Sequence, residues 1–392
     1  MSDLELLLLV LALLYGWECA CWLRRGSVAF RTWLGRGWRV VHPGALLGNQ
    51  TGGFIFAAPL PPLGTLLTGN PSPLSLSPEG LLAYVAPGVN PGWRPPQPGW
   101  FVRFDDLRQV AADGKTVRIN GSLRLKVGSP TFAQGLAERL SGLSKLPAAK
   151  REAALQQQLE DSLDADAAER RWREFQPHAA RLRIATNVLF GYSFVLAPVV
   201  FLSFGLRFWL ELVVGLLACT VAIALIFRRA HLAFFPRAED ERFTHFLIVL
   251  LSPATSLRAH DLVSRPLLED FHPLAIAKVL CSEARFRDLA AQVLREIRHP
   301  AFPLCPSSEP AAQAAERWAR AALQSAVEKL LRRARLDPDQ LLAPPAPSDA
   351  TCRAYCPHCL AQFTTPDARC HDCGGLPLAP LSVTFKTAPQ AP

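Results

Sequence analysis

The sequence predicts an α+β integral membrane protein. Its expected parts are an N-terminal transmembrane anchor, a cytoplasmic β-rich module, a transmembrane helical hairpin, a cytoplasmic helical domain and a C-terminal four-cysteine ribbon. Three observations predict it. Apolar residues are bunched into runs long enough to cross a bilayer. Arginines gather at the ends of those runs. Two Cys-x-x-Cys pairs lie near the end of the sequence.

Half of the 392 residues are apolar and the mean hydropathy is +0.15. A soluble protein reaches such values, so the distribution decides. Residues 4–23 form one run, interrupted by Glu5 and Glu18. Residues 184–206 form a second with no charge, and residues 208–227 a third with only Glu211. Each is about 20 residues or longer, and at about 1.5 Å per residue each can cross a hydrocarbon core of about 30 Å. A helix satisfies its own backbone in lipid, so such runs carry no turn residues. The alternative is a buried core helix, but charge-free runs of this length are rare in soluble folds. The first run lacks the basic leading segment of a cleaved signal, having Asp3 and Glu5 instead. No small-x-small cleavage site follows it, and Cys19 and Cys21 have no lipoprotein signature before them, so it reads as an uncleaved anchor.

The net charge of +9 is concentrated beside these runs. Arg24, Arg25, Arg31, Arg36 and Arg39 follow the first run. Arg170, Arg171, Arg173, Arg181 and Arg183 precede the second, and Arg228, Arg229 and Arg237 follow the third. Basic flanks stay in the cytoplasm. The expected topology has the N-terminus outside, residues 24–183 inside, a tight hairpin, and everything after Phe227 inside. A bacterial cytoplasmic membrane is the expected location. Arg207, at the outer turn, is placed to pair with Glu211 one helical turn on. Anionic lipid accounts for the basic excess.

Eight segments follow from this reading: the anchor (1–24), the β-rich module (25–145), a charged juxtamembrane helix (146–183), the hairpin (184–227), the helical domain (228–340), a Pro-rich linker (341–351), the ribbon (352–377) and a tail (378–392). Residues 38–100 are rich in Gly and Pro, yet Trp38, Phe54, Phe56, Tyr84, Trp93 and Trp100 argue for an irregular β-rich fold over disorder. Residues 107–111, 116–119 and 123–127 read as short strands, with Asp113-Gly114 and Asn120-Gly121 as their turns. Leu123, Leu125 and Val127 alternate with Arg124 and Lys126. Ser129-Pro130 then opens a helix whose Phe132, Leu136, Leu140 and Leu143 share a face. Residues 101–143, a meander and a covering helix, resemble the closing part of a PH-like domain, a likeness that implies a fold and no ligand residue.

Residues 150–174 read as one charged helix, with Arg170–Arg173 at the membrane surface and Pro177 resetting the chain. Residues 242–251 are apolar but too short to span, which predicts a core or interfacial helix. Pro253, Pro266 and Pro273 mark further starts. Phe286, Leu289, Val293 and Ile297 form a helical stripe, and Ser308 caps a helix on which Trp318, Ala322, Val327 and Leu330 face one way.

The chemistry is concentrated in Cys356-Pro-His-Cys359 and Cys370-His-Asp-Cys373, with ten residues between the inner cysteines. Tetrahedral zinc takes four soft ligands at about 2.3 Å, and two knuckles supply them. Gly374-Gly375 suits the tight second knuckle, and Phe363 and Leu376 are placed to cover the site. The segment resembles zinc-ribbon modules, which implies one structural Zn2+ held by Cys356, Cys359, Cys370 and Cys373. A redox pair would sit near a βαβ pattern, and none is apparent. Cys352, His358 and His371 remain possible substitute ligands. The other cysteines (Cys19, Cys21, Cys219, Cys281 and Cys305) are scattered and do not read as a disulfide framework. Four protein ligands leave no open position for a water, so the expected role is structural. Arg353 and Arg369 balance Asp367 and Asp372. A phosphate-binding ribbon needs a basic face, so nucleic acid is not the expected partner.

No catalytic residue is assigned. His245, His260, Asp261, Glu269, Asp270 and His272 are the best polar cluster and the basis of an alternative, a membrane-bound enzyme with a polar or metal site. They show no His-x-x-x-His spacing, and the chain has no phosphate-cradling loop, nucleophile elbow or dinucleotide fingerprint. Asp270 and His272 flank a helix start, so cap roles compete. Glu18 and Asn187 are polar residues within apolar runs, which leaves a small transport or channel subunit as a further alternative. The principal expectation is a non-enzymatic scaffold or adaptor in the lipid bilayer, presenting its ribbon to another protein and able to self-associate.

Overall fold

The computed structural model describes residues 74–84, 98–114, 116–126, 130–236, 239–257, 259–268, 271–280, 282–299 and 309–381. The run 4–23 with Glu18, most of the Gly/Pro-rich stretch, Ser129, Glu269, Asp270, Cys281, Cys305 and Ser308 lie outside the described residues. The described chain is mixed helix and sheet, mostly helical.

Two antiparallel meanders open it. One is β1 (Leu74–Leu76), β2 (Gly80–Tyr84) and β3 (Pro98–Arg103); the other is β4 (Val110–Asp113), β5 (Thr116–Ile119) and β6 (Leu123–Lys126). Asn120 and Gly121 turn β5 into β6 with φ of 51° and 76°, the region such turns demand. The Asn120 side chain pins the loop before β4. Its Oδ1 accepts from the Arg108 and Gln109 amides, at 2.9 and 3.2 Å, and its Nδ2 donates to the Asp106 carbonyl at 2.8 Å. Gly80 is required by close approach, since a methyl there would lie 2.3 Å from the Val102 carbonyl oxygen. The expected strand at 107–111 begins only at Val110, because Leu107 closes a turn onto Phe104 and enters the core instead. Leu81, Phe104, Val117, Ile119 and Leu125 pack there against Leu136 and Leu140 of α1 (Pro130–Ser144).

The charged stretch forms two helices, not one. α2 (Ala148–Ser162) stops at Leu163, and α3 (Ala165–Gly191) starts afresh. Asp164 caps α3 by accepting from the Asp166 and Ala167 amides at 2.9 and 3.0 Å. Leu163, in the break, is buried among α-helices described below. Pro177 does not reset the chain, since α3 runs through it. An internal proline costs about 3 kcal/mol, but Phe175 and Leu182, fully buried on either side, hold the helix in place. Arg151 of α2 is 6 % exposed. Its guanidinium donates to the Leu146 carbonyl (2.7 Å), the Pro78 carbonyl (2.9 Å) and Asp105 (2.7 Å), and lies over the Phe104 ring.

From α3 the chain passes through a π-bulge at Tyr192–Leu196 into α4 (Ala197–Phe204). Gly205, with φ 60°, turns it, and α5 (Trp209–Phe234) returns. Residues Ala180–Phe234 form the one helical run among the described residues that is long and apolar enough to cross a membrane. Both runs of the expected hairpin, 184–206 and 208–227, fall within it, and the run 4–23 lies outside the described residues, so the multi-pass topology expected from sequence is supported by no run beyond this one. The run folds back on itself. The Tyr192 hydroxyl donates to the Leu212 carbonyl at 2.6 Å, and a methyl on Gly215 would lie 2.5 Å from the Tyr192 oxygen. Arg207 lies over the Phe208 ring, 5.6 Å from its centroid, not against Glu211. Gly215→Val should expel the Tyr192 ring and splay the two arms, at a cost of about 1–3 kcal/mol. Tyr192→Phe, which loses one hydrogen bond, should cost about 1 kcal/mol. Thermal melts of the detergent-solubilised protein check this, and a Gly215→Val melt equal to the parent's would refute it.

α6 (Glu239–Leu251) packs along the C-terminal half of α5, followed by α7 (Pro253–Ser256), α8 (Ala259–Leu268) and α9 (Pro273–Leu280). Phe175 and Leu182 of α3, Ile223 and Phe227 of α5, Val249 of α6 and Val263 of α8 form one core. A second core joins Leu163 and Leu274 to α10 (Glu283–Arg298) and α11 (Pro310–Arg333) through Phe286, Val293, Leu323, Val327 and Leu331. The α10 stripe is buried as its spacing predicts, with Leu289 at its edge. On α11, Val327 and Leu330 face this core, but Trp318 packs against the β module and donates to Glu152 at 3.1 Å. α12 (Pro338–Leu341) is tied back by Arg298, which bridges Asp339 at 2.8 Å and Glu328 at 2.9 Å.

Candidate metal centre

In the last 30 described residues every strand is two residues long, and one 3-10 turn, His371–Cys373, forms the second knuckle. β7 (Ala354–Tyr355) pairs with β8 (Gln362–Phe363) and β11 (Ala379–Pro380), and β9 (Arg369–Cys370) pairs with β10 (Leu376–Pro377). Each hairpin is bent by a knuckle. In the first, the Leu360 amide donates to the Cys356 carbonyl at 2.9 Å, and in the second the Gly375 amide donates to the Cys370 carbonyl at 2.9 Å. The residue after each Cys-x-x-Cys adopts the left-handed conformation, Leu360 and Gly374 both at φ 64°. Glycine takes that conformation freely, whereas leucine pays about 1 kcal/mol or more. Leu360 packs beside Cys352, Tyr355 and Leu381, which offsets the strain.

The knuckles bring four sulfurs together. The Sγ atoms of Cys356, Cys359, Cys370 and Cys373 all lie within 4.8 Å of one another, and Cys359 and Cys370 are 3.7 Å apart. Four sulfurs about 2.3 Å from a common tetrahedral centre are about 3.8 Å apart. The spacing suits a metal ion. Cys356, Cys370 and Cys373 are buried and Cys359 is exposed, while Phe363, Leu376 and Leu378 cover the group. Burial, then the neighbouring sulfurs, pushes the Cys370 thiol up to about 11 and the Cys373 thiol higher still. Burial also opposes ionisation of Cys356, but hydrogen bonds from the Cys359 and His358 amides and from the Cys359 and Cys370 thiols together outweigh it and hold that thiol below its usual value. A dication at the centre favours the thiolate at all four.

The possible substitute ligands do other things. Cys352 lies outside the four-sulfur group, beside the Ser348 hydroxyl at 3.3 Å, and His371 is exposed. His358, between the two cysteines of the first knuckle, points away from them. Its Nδ1–H donates to the His299 carbonyl at 3.0 Å, at the end of α10, and its Nε2 lies 3.7 Å from Glu296. Burial raises the Glu296 carboxyl, against the opposing pull of His358 and Arg320. The knuckle is thereby docked on the helical domain, a contact that the sequence reading missed. His358→Ala should leave the metal content unchanged and speed amide exchange at the C-terminal turn of α10 about fivefold, the equivalent of about 1 kcal/mol. Hydrogen exchange with metal analysis of the same sample checks it. Loss of metal would make His358 a ligand instead.

Among the described residues, His245, His260 and His272 do not gather into a comparable centre. His272 caps α9: its amide donates to the Ser162 carbonyl at 2.7 Å and its Nδ1 accepts from the Leu274 amide at 3.2 Å. His260 is buried against Trp172 and Phe175, and His245 lies beside Phe227 and His231. Among the described residues, the four cysteines alone come within metal-ligating distance as a group. Asn187 faces outward from α3.

No protein-family model, curated protein or solved structure matches the chain. The ribbon-like reading therefore rests on the four-sulfur cluster, and the PH-like reading of 101–143 goes no further than a meander and a covering helix.

Proposed function

We propose that this protein is a membrane-anchored, non-catalytic scaffold. It holds a zinc-stabilised ribbon at the cytoplasmic face for another protein to bind. The observation that carries this reading is the donor set: four cysteine sulfurs at tetrahedral spacing. Tetrahedral thiolate sites suit zinc or iron. The all-cysteine set fits zinc, and four protein ligands make it structural. The thiolates fix and cover the ion, and no position is left for a substrate.

The anchor is the helical run from Ala180 to Phe234. Its outer surface is predominantly apolar, with Ile184, Val195, Val199, Leu202, Val213 and Leu217 more than half exposed and Asn187 and Glu211 among the polar exceptions. A water-soluble fold does not tolerate so large an apolar surface. Each arm is about 25 residues long, or about 38 Å, enough for one crossing. Exposed Arg181, Arg183, Arg228 and Arg229 lie at one end, and Phe204, Phe208 and Trp209 at the other. By the positive-inside preference the arginine end is cytoplasmic, and the aromatic end sits at the outer interface. The ribbon's balanced charge favours a protein partner over nucleic acid.

The full chain purified in mild detergent tests this beside Cys370→Ser. A protein retained by the parent in fixed ratio and lost from the variant supports the scaffold. A parent that retains no protein in any of several detergents overturns it.

A further inference from the structure

We infer that α6 is a half-span helix whose outer face is embedded in the acyl chains of the cytoplasmic leaflet, beside the hairpin. The inference rests on the hairpin crossing the membrane, as proposed above.

α6 has 13 residues, so it is about 20 Å long and cannot cross about 30 Å of hydrocarbon. Its two faces are unlike. Val249 is fully buried, and Phe246 and Leu250 are partly buried, in the core that includes Ile223, Ala224 and Phe227 of α5. On the other face Phe243 is 64 % exposed, Ile248 44 % and Leu251 77 %. A solvated helix would place mainly polar residues there, whereas among the exposed residues described Thr244 is the one polar residue beside Phe243, Leu247, Ile248 and Leu251.

Direction gives the depth. The link from α5 to α6 is short, and His245 lies beside Phe227 and His231 while Val249 shares a core with Ile223 and Ala224. The helix thus runs back along α5, away from the exposed Arg228 and Arg229. Its end lies one to two turns past those arginines, about 10 Å towards the outer side. The exposed face of α6 is therefore continuous with the apolar outer surface of the hairpin, and the arginine level at its base matches anionic headgroups.

The end of the helix is built for lipid. A helix that stops in hydrocarbon must satisfy its last carbonyls without water. Ser256, fully buried, directs its hydroxyl to the carbonyls of Val249 and Ser252. The Ser252 hydroxyl accepts from the Thr255 amide at 3.3 Å and caps α7. The turn from α6 into α7 thus supplies internal donors to the carbonyls of Ile248, Val249 and Ser252, as a helix end shielded from water requires.

Cysteine substitutions in the full chain, reconstituted into phosphatidylcholine–phosphatidylglycerol vesicles, test the inference. A charged maleimide is admitted to both sides by freeze–thaw, and labelling is read on the substituted peptide by mass spectrometry. Leu251→Cys should react at least about tenfold more slowly than Arg229→Cys, and Val199→Cys should be equally protected. If Leu251→Cys labels as fast as Arg229→Cys while Val199→Cys stays protected, α6 lies in water: this inference fails and the hairpin stands. If Val199→Cys also labels, the membrane crossing itself fails. A benzophenone amino acid placed at position 251 then identifies the cover. Adducts to lipid support the inference, and adducts to protein, including a second copy of the chain, overturn it.

Discussion

Cys370→Ser should empty the ribbon of metal and unfold it, leaving the rest of the molecule in place. The parent should contain about one zinc per chain and no iron. In the variant the metal should fall to background, and the amides from Ala354 to Pro380 should exchange as in an unfolded peptide. The effect is large because the ribbon has little else to hold it. Its strands are two residues long, and its apolar contacts are two small clusters, one of them made largely of the ligands themselves. Structural zinc supplies about 10–16 kcal/mol in zinc-finger peptides, where the binding energy is the folding energy, and a four-sulfur module with so small a core should depend on its metal in the same way. A variant that keeps its zinc would show that another side chain, Cys352 or His371, completes the set. Iron in the parent would change the identity of the ion and open one-electron chemistry. A parent without metal would return the cysteines to redox pairing.

Arg151→Ala should have the largest effect on the remainder, about 2–4 kcal/mol of unfolding free energy. The guanidinium is buried and joins three separate pieces of chain: the turn after β1, the turn after β3 and the start of α2. Its removal leaves the carbonyls of Leu146 and Pro78 without this donor, at about 1–3 kcal/mol each where water cannot reach them. Packing of the side chain on Phe104 is lost as well. The ion pair with Asp105 is the smaller part, because that carboxylate is 69 % exposed and screened by solvent. Asp105→Asn should therefore cost under about 1 kcal/mol. Urea unfolding of the three proteins separates the contributions. Equal losses in both variants would mean that the charge pair, not the carbonyl anchoring, fixes α2 on the β module.

The four-sulfur group was legible because its geometry is local. Each pair of cysteines lies within one turn, and only the meeting of two turns is left to the fold. The β4–β6 meander was legible for the same reason, since Asn120-Gly121 fixes the turn and alternation fixes the buried face. The boundary between α2 and α3 was hidden by continuous helical propensity, although Asp164 is a good cap. Pro177 was given too much weight, because packing on both sides outweighs its local cost. The buried face of α11 was misread towards Trp318. The first half of that face is built from Ala312, Ala315 and Ala319, whose small size lets neighbours approach closely but gives a weak hydropathy signal, while Leu323, Val327 and Leu331 carry the second half. His358 and Glu296 are 62 positions apart, and no short-range pattern predicts their contact.

α11 is gripped on both sides: its first half lies against β1, β2 and Trp318's neighbours in the β module, and its second half against α10. Two segments that look separable along the chain thus share one wall. Their melting should be thermodynamically linked, so that the β module and the α10–α11 pair lose order in one calorimetric transition. Cutting the polypeptide between the hairpin and α11 should then yield two fragments that are each aggregation-prone alone and recover order when mixed.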